Sequence, residues 1–246
     1  MRVTVLGCGA AYPRPGGACS GYLVEGEGAT VWLDAGNGTF SRLQGHVDWR
    51  DVDALVLSHA HDDHVADVIP FMYARGLDEP DLPPLPVYGS ADVSRKLLAG
   101  LSPSSRDVFG RAFDFRGSDR AFSIRELDFE PFRTVHPVET YGFRVADGNR
   151  TFVYTADSAF DPELVDACGG ADLLLAESTF VGPTIHEDGI HMYAREAGEL
   201  ATKAGAHRLL LTHVWATFSR KEAVDEAQVT YDGPVEAALE GATYDV

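Results

Sequence analysis

Cysteine is scarce in this chain: Cys8, Cys19 and Cys168 are the only three among 246 residues. They are odd in number, scattered and without Cys-x-x-Cys spacing, so neither a disulfide framework nor a zinc ribbon is implied, and reduced structural thiols are expected. Long apolar runs are lacking too. No segment approaches the roughly 20 residues that a membrane-spanning helix needs, and Met1-Arg2-Val3-Thr4-Val5-Leu6 goes straight into a strand pattern with no signal-peptide architecture. A cytoplasmic protein without membrane association is the expectation. Positive charge is the third deficit, with 20 Lys and Arg against 38 Asp and Glu and a formal net charge of −18. Affinity for a phosphate backbone rests on many Lys and Arg contacts, so a large nucleic acid is a poor candidate partner. Internal repeats and low-complexity tracts are also missing.

Against these deficits, one stretch is crowded with side chains that bind metals. Ser58-His59-Ala60-His61-Asp62-Asp63-His64 follows Val52-Asp53-Ala54-Leu55-Val56-Leu57, an apolar run that reads as a buried strand. A strand ending in imidazoles and carboxylates is a ligand-bearing loop on a rigid base. His59 and His61 can turn the same way in extended backbone, while Asp63 and His64 continue into the next element and can reach a second ion. Imidazole plus carboxylate suits borderline metals, with zinc first and manganese or iron as alternatives. A solvated, histidine-rich loop is the competing reading, and the density of ligands after a buried strand argues against it.

Elsewhere the chain alternates strands and helices. Residues 3–8 read as a strand before a Gly/Pro loop, and Gly21–Glu25 and Thr30–Asp34 as a hairpin closed by Gly26-Glu27-Gly28. Val65, Val68, Ile69, Met72 and Tyr73 recur at helical spacing, with Pro70 expected to kink or shorten that helix. Asp78 to Pro86 is a proline-rich connection, followed by a short strand at Val87-Tyr88-Gly89 and a helix from Ala91 to Leu101. Residues 102–117 are the least legible; their Ser, Arg and Phe content suits a mobile flap beside the site or an ordinary loop over the core. Strands return at Phe122–Ile124, Phe129–His136, Tyr141–Ala146 and Arg150–Ala156, with Asp147-Gly148 as a turn. Then come a helix at Pro162–Ala167, a buried strand at Asp172–Ala176, a long helix ending at Gly205, and a strand before His213. At 45% hydrophobic the chain can bury a large core, and one domain spanning 1–246 is expected. The alternation is compatible with two packed sheets flanked by helices.

The run His-Ala-His-Asp-Asp-His resembles the H-x-H-x-D-H signature of the metallo-β-lactamase superfamily. Further pieces follow in the expected order: Asp34 after Thr30-Val31-Trp32-Leu33, His136 after Phe132–Val135, Asp157 after Thr151–Ala156, and His213 after Arg208–Thr212. The resemblance implies an α/β fold of the four-layer αββα type and two divalent metal ions. It places His59, His61 and His136 on one ion and Asp63, His64 and His213 on the other, with Asp157 bridging and Asp63 also counted among the catalytic residues. Asp34 would orient the metal loop through hydrogen bonds, the competing reading being a strand-end turn aspartate. His46, His186 and His207 fit no ligand position and are expected at the surface. A carboxylate bridge favours two ions at roughly 3.5–4 Å, a geometry suited to phosphoryl displacement.

Glu177 and His191 resemble the pair that, in the ribonuclease Z branch, is thought to protonate the leaving oxygen. A carboxylate that orients an imidazole raises its pKa, so the pair can act as an acid near neutrality. The competing reading makes His191 a helix cap and Glu177 a strand-end charge. Two departures from that branch stand out. Ala176 replaces a histidine usual before the glutamate, and little more than a hairpin separates His136 from Asp157, where ribonuclease Z enzymes insert a tRNA-gripping arm. Together with Cys19-Ser20-Gly21-Tyr22-Leu23-Val24, the pattern resembles compact bacterial members related to cyclic-nucleotide phosphodiesterases. Small phosphodiesters such as 3′,5′-cyclic nucleotides are the expected substrates. Alternatives are a ribonuclease Z-like RNA nuclease, a cyclic ribose phosphate phosphodiesterase, a lactonase or thioesterase, and a non-catalytic nucleotide-binding protein. A homodimer is compatible with the sequence.

Overall fold

Alternating apolar residues near the start of the chain form an antiparallel meander of β1 (Arg2–Gly7), β2 (Gly21–Glu25) and β3 (Thr30–Leu33). The computed structural model describes residues 1–183 and 189–246. After β3 the sheet turns parallel through β4 (Ala54–Val56), β5 (Leu85–Gly89) and β6 (Phe113–Gly117), and β14 (Thr243–Asp245) closes the opposite edge against β1. A second sheet runs from β7 (Phe122–Ile124) through β8 (Leu127–Arg133) and β9 (Tyr141–Ala146) to β10 (Thr151–Tyr154), all antiparallel, and continues in parallel with β11 (Leu173–Glu177), β12 (Leu209–Thr212) and β13 (Val235–Ala237). Among the described residues each sheet has 7 strands, with three antiparallel pairings followed by three parallel ones. The two halves are thus topological copies, although no sequence repeat announces it.

Because successive strand residues point to opposite faces, β3 sends Val31 and Leu33 between the sheets and Trp32 outward to the helices. The inter-sheet layer holds Val5, Tyr22 and Val24 from one sheet and Phe129, Phe143, Phe152 and Leu175 from the other. Outside the first sheet lie α1 (Thr39–Leu43), α2 (Asp62–Val65), α3 (Val68–Tyr73), α4 (Ala91–Ala99) and α5 (Pro103–Ala112), which cover Trp32, Leu55 and Val87 with Phe71, Val93 and Phe109. Outside the second lie α6 (Pro162–Ala167), α7 (Ala194–Ala204) and α8 (Arg220–Ala227), whose Leu164, Leu200 and Ala223 cover Val153, Leu174 and Leu211. Helices on the outer face of each of two packed sheets make the αββα sandwich. Full burial of each large side chain contributes roughly 1.5–3 kcal/mol.

Several expectations need correction. Residues 102–117 are neither flap nor loop: Ser102 caps α5 by accepting the Ser105 N–H, Pro103 occupies its first turn, and Phe113 and Phe115 then alternate in β6. The helix after the metal loop breaks at Ala66–Asp67 rather than at Pro70, which sits in the first turn of α3, where a missing N–H costs little. β5 starts at Leu85, so Pro86 lies within a strand rather than in the connection, and α4 stops at Ala99, short of Leu101. β8 ends at Arg133, which leaves His136 three residues beyond it. The sequence pattern places no element at α1, α8, β13 or β14.

Candidate metal centre

The strand ends converge where the two sheets meet. β4 leads into the loop carrying His59 and His61, and α2 begins with Asp62, Asp63 and His64. The β8–β9 connection brings His136, the end of β10 brings Asp157, and the end of β12 brings His213. A turn after β3 underlies this loop: the Ala35 N–H donates to the His64 carbonyl at 2.8 Å. A Cβ on Gly36 would lie 2.0 Å from the Asp63 carbonyl, so that turn admits only glycine. Of the five non-glycine residues with positive φ among those described, Ala11, Asp34, Ala156 and His213 all border this centre. Strained backbone of this kind costs on the order of 1–3 kcal/mol per residue and is held in place by surrounding contacts.

Two clusters share Asp157. Ligand atoms of His59, His61, His136 and Asp157 lie within 4.8 Å of one another, as do those of Asp63, His64, Asp157 and His213. His61 Nδ1 is 3.1 Å from both His59 Nε2 and His136 Nε2, and Asp157 Oδ2 is 3.6 Å from His59 Nε2. In the other cluster, His213 Nε2 is 3.2 Å from Asp63 Oδ2 and 3.5 Å from Asp157 Oδ2, and His64 Nε2 is 3.3 Å from Asp157 Oδ1. Tetrahedral ligands at about 2.0–2.1 Å from an ion stand roughly 3.4 Å apart, so this spacing fits. The donor chemistry agrees. Among the described residues His64 Nε2 and Asp157 Oδ1 are buried without a well-formed hydrogen bond, facing only one another, an expense that a cation between them would reduce.

Hydrogen bonds on the far side of each ring select the face it presents. Asp34, fully buried, accepts the Ser58 N–H at 2.7 Å on Oδ1, and the Ser58 hydroxyl, His64 Nδ1–H and Tyr154 hydroxyl at 2.8, 2.8 and 2.9 Å on Oδ2. With its proton given to Asp34, the Ser58 hydroxyl accepts from His59 Nδ1 at 3.0 Å. His136 Nδ1 donates to the Ile190 carbonyl at 3.1 Å, and His213 Nδ1 to Thr179 Oγ1 at 2.8 Å. Four rings therefore turn Nε2 into the centre, and His61 turns Nδ1. Ser58, Thr179 and Tyr154 were missed in the sequence because a hydroxyl residue in a strand or loop carries no signal of its partner.

Burial holds His59, His61 and His136 below the ordinary imidazole value, so they are neutral, the form that a metal ion would require. His64 goes the other way: burial opposes its charge, but Asp157, Asp63 and Asp34 outweigh it. A surplus of carboxylate around one buried imidazole is the field of a cation site.

Glu177 is fully buried beside this centre. Its Oε1 accepts the Ser158 N–H at 2.7 Å and His191 Nδ1–H at 2.9 Å, and its Oε2 accepts the Thr179 hydroxyl at 2.7 Å and the Met192 N–H at 3.2 Å. His191 Nδ1 also stands 4.0 Å from Asp157 Oδ2. Burial disfavours a charged His191, yet Glu177 overcomes it and its pKa is pushed up to about 9. The helix cap is Tyr193, so His191 is not a capping residue. Of the remaining histidines, His46 and His207 are exposed, and His186 lies outside the described residues.

Fold and centre together define the class. Residues 29–214 match the model of the beta-lactamase superfamily domain, and the chain belongs to that superfamily; it is a metal-dependent hydrolase. Among particular relatives, the probable metallo-hydrolase YhfI of Bacillus subtilis is 32% identical over 252 positions, covering 100% of both chains. Its crystal structure superposes with a TM-score of 0.89 over 99% of each chain. The ribonuclease Z of Myxococcus xanthus is 27% identical over 303 positions, covering 100% of this chain and 98% of that protein, so it carries insertions that this chain lacks. Human short-form tRNase Z shares the fold, with a TM-score of 0.80 at 21% identity over 100% of this chain and 99% of that one. Among the described residues no helix is long and apolar enough to cross a membrane.

Proposed function

We propose that the protein is a dinuclear phosphodiesterase of small phosphodiesters such as 3′,5′-cyclic nucleotides. The observation that carries this reading is the His191–Glu177 pair at 2.9 Å, set against the shared aspartate of the two clusters. A ribose oxygen expelled from phosphorus is strongly basic and needs a proton as its bond breaks. A lactone also expels an alkoxide, so its turnover is the control that tells carbonyl from phosphoryl chemistry.

His59, His61 and His136 would hold one divalent ion and Asp63, His64 and His213 the other, with Asp157 between them; zinc heads the candidates, then manganese and iron. When bound, such a pair supplies Lewis acidity at phosphorus and activates water for in-line attack. The chain's own residues do the rest. Asp34 and Ser58 fix the metal loop through the bonds described above. Glu177 takes Nδ1–H of His191 and keeps the ring protonated, leaving Nε2–H to be donated to the departing oxygen. Asp63 is itself anchored by the Ala11 N–H at 2.8 Å.

What lies between His136 and Asp157 favours a small substrate. That interval is filled by β9, a turn at Gly148 and β10, which leaves no room for an inserted arm. The net charge of −18 counts against a long RNA in the same sense. The likeness to ribonuclease Z favours RNA cleavage as the second reading. Turnover of cyclic AMP, bis(p-nitrophenyl) phosphate, a lactone and a precursor tRNA, after reconstitution with zinc or manganese, separates the readings. Cleavage of the tRNA or lactone alone would overturn the first.

A further inference from the structure

We infer that Tyr12 and Trp215 form an aromatic shelf at the mouth of the metal centre that stacks the base of a nucleotide substrate. Both are tied to proposed ligands of the Asp63 cluster. Tyr12 follows Ala11, whose N–H donates to Asp63 Oδ2 at 2.8 Å, and Trp215 stands two residues beyond His213. Their rings meet edge to face, with centroids 6.0 Å apart and planes at 87°. Such a meeting leaves ring faces open for a further aromatic group.

Position beside the centre, with exposure, sets this pair apart from the other aromatic side chains. Tyr12 is 47% exposed and Trp215 half-buried, whereas Trp32 and Trp49 are buried in the core. On the other side of the centre Val135, adjacent to His136, is 43% exposed. Aromatic surface at the centre's edge offers a flat apolar face that a ligand's ring can cover. The shelf is also rigid. Arg14 sends its guanidinium to the Trp215 carbonyl at 3.3 Å and to the Phe218 carbonyl, which joins the loop of Tyr12 to the segment of Trp215. Gly9 bridges to both Cys19 and Val214, and the Gly17 N–H closes the loop onto the Arg14 carbonyl at 2.8 Å. A surface ordered before binding loses little entropy when a ring settles on it.

Stacking suits any nucleobase, because every base presents a π face. The shelf therefore selects for an aromatic ring on the phosphodiester without choosing among bases. This rests on the phosphodiesterase reading, and the experiment keeps the two apart. Metal-loaded protein is titrated with adenosine monophosphate while tryptophan fluorescence is followed. Hydrolysis of cyclic AMP is compared with that of 1-O-methylribose 3′,5′-cyclic phosphate, which lacks the base. Nucleotide is expected to quench the emission, and the quench to disappear in Trp215→Leu. Tyr12→Ala should lower the ratio of kcat/KM between the two substrates on the order of 10–100-fold, through KM, with Tyr12→Phe restoring it. An unchanged ratio in Tyr12→Ala, with cyclic AMP still cleaved, overturns the shelf and leaves the phosphodiesterase intact. Quenching lost in Trp215→Leu, in a protein that cleaves neither substrate, sustains the shelf and overturns the activity. Absence of both quenching and cleavage overturns both.

Discussion

Glu177 and His213 are joined through a single hydroxyl: Thr179 Oγ1 donates to Glu177 Oε2 at 2.7 Å and accepts from His213 Nδ1 at 2.8 Å. The carboxylate beside the proposed acid therefore also fixes the tautomer of a proposed metal ligand. Thr179→Val should break this link and leave His213 Nδ1–H buried without a partner. Loss of a second-sphere partner of this kind typically costs 10–100-fold in metal affinity. Competitive metal titration should show one ion weakened by about that factor and the other little changed, and Thr179→Ser should recover it. Two equally tight ions in Thr179→Val would show that the hydroxyl does not position His213.

Purified protein is expected to carry close to two transition-metal ions per chain, on the strength of the two clusters that share Asp157. His61→Ala should lose an ion and abolish hydrolysis. Elemental analysis finding a metal-free protein of undiminished activity would refute the assignment.

Chelation should also weaken the fold. Among the described residues His64 Nε2 and Asp157 Oδ1 make no well-formed hydrogen bond and face only one another at 3.3 Å, so a cation between them would offset much of the cost of their burial. A site filled at about a hundred times its dissociation constant stabilises by roughly 2.7 kcal/mol. At about 2–4 °C per kcal/mol for a chain of this size, removal of one such ion should lower Tm by roughly 5–10 °C. A thermal scan in the presence of a chelator that left Tm unmoved would count against both clusters.

His191→Ala should retain both metals, lose on the order of 10²–10⁴-fold on a cyclic nucleotide, and lose far less on bis(p-nitrophenyl) phosphate, whose leaving group needs no proton. Equal losses on the two substrates would make His191 a positioning residue.

The pH profile gives the same pair a second test. Burial works against the charged form of His191, and Glu177 raises its pKa to about 9. The acid form is present below that value and is lost as pH rises through it. Bound cations act in the opposite direction and draw the alkaline limb lower. Glu177→Gln removes the negative partner, so the pKa of His191 falls and the alkaline limb of the cyclic-nucleotide rate should move to lower pH. A limb that stays in place would separate the proton donor from Glu177.

What could be read beforehand divides along physical lines. The run from His59 to His64 was legible because ligand chemistry demands particular side chains at short spacing, and β11 and β12 because buried parallel strands are apolar throughout. The edge strands β13 and β14 span only three residues each and are partly polar, so no periodicity marks them. α5 did leave a signal, Ser102 followed by Pro103, which the exposed Ser and Arg content of the helix obscured. Thr179 and Ser58 were invisible for another reason. Their importance lies in partners from distant segments, which only the fold assembles.

The two topological halves have a further consequence. His59, His61, Asp63 and His64 come from the first sheet, and His136, Asp157 and His213 from the second, so each cluster draws ligands from both sides of the sandwich. A metal ion held this way is a clasp across the seam. Neither half can complete a cluster alone, so stripping the ions would undo ties between the two sheets rather than within either of them.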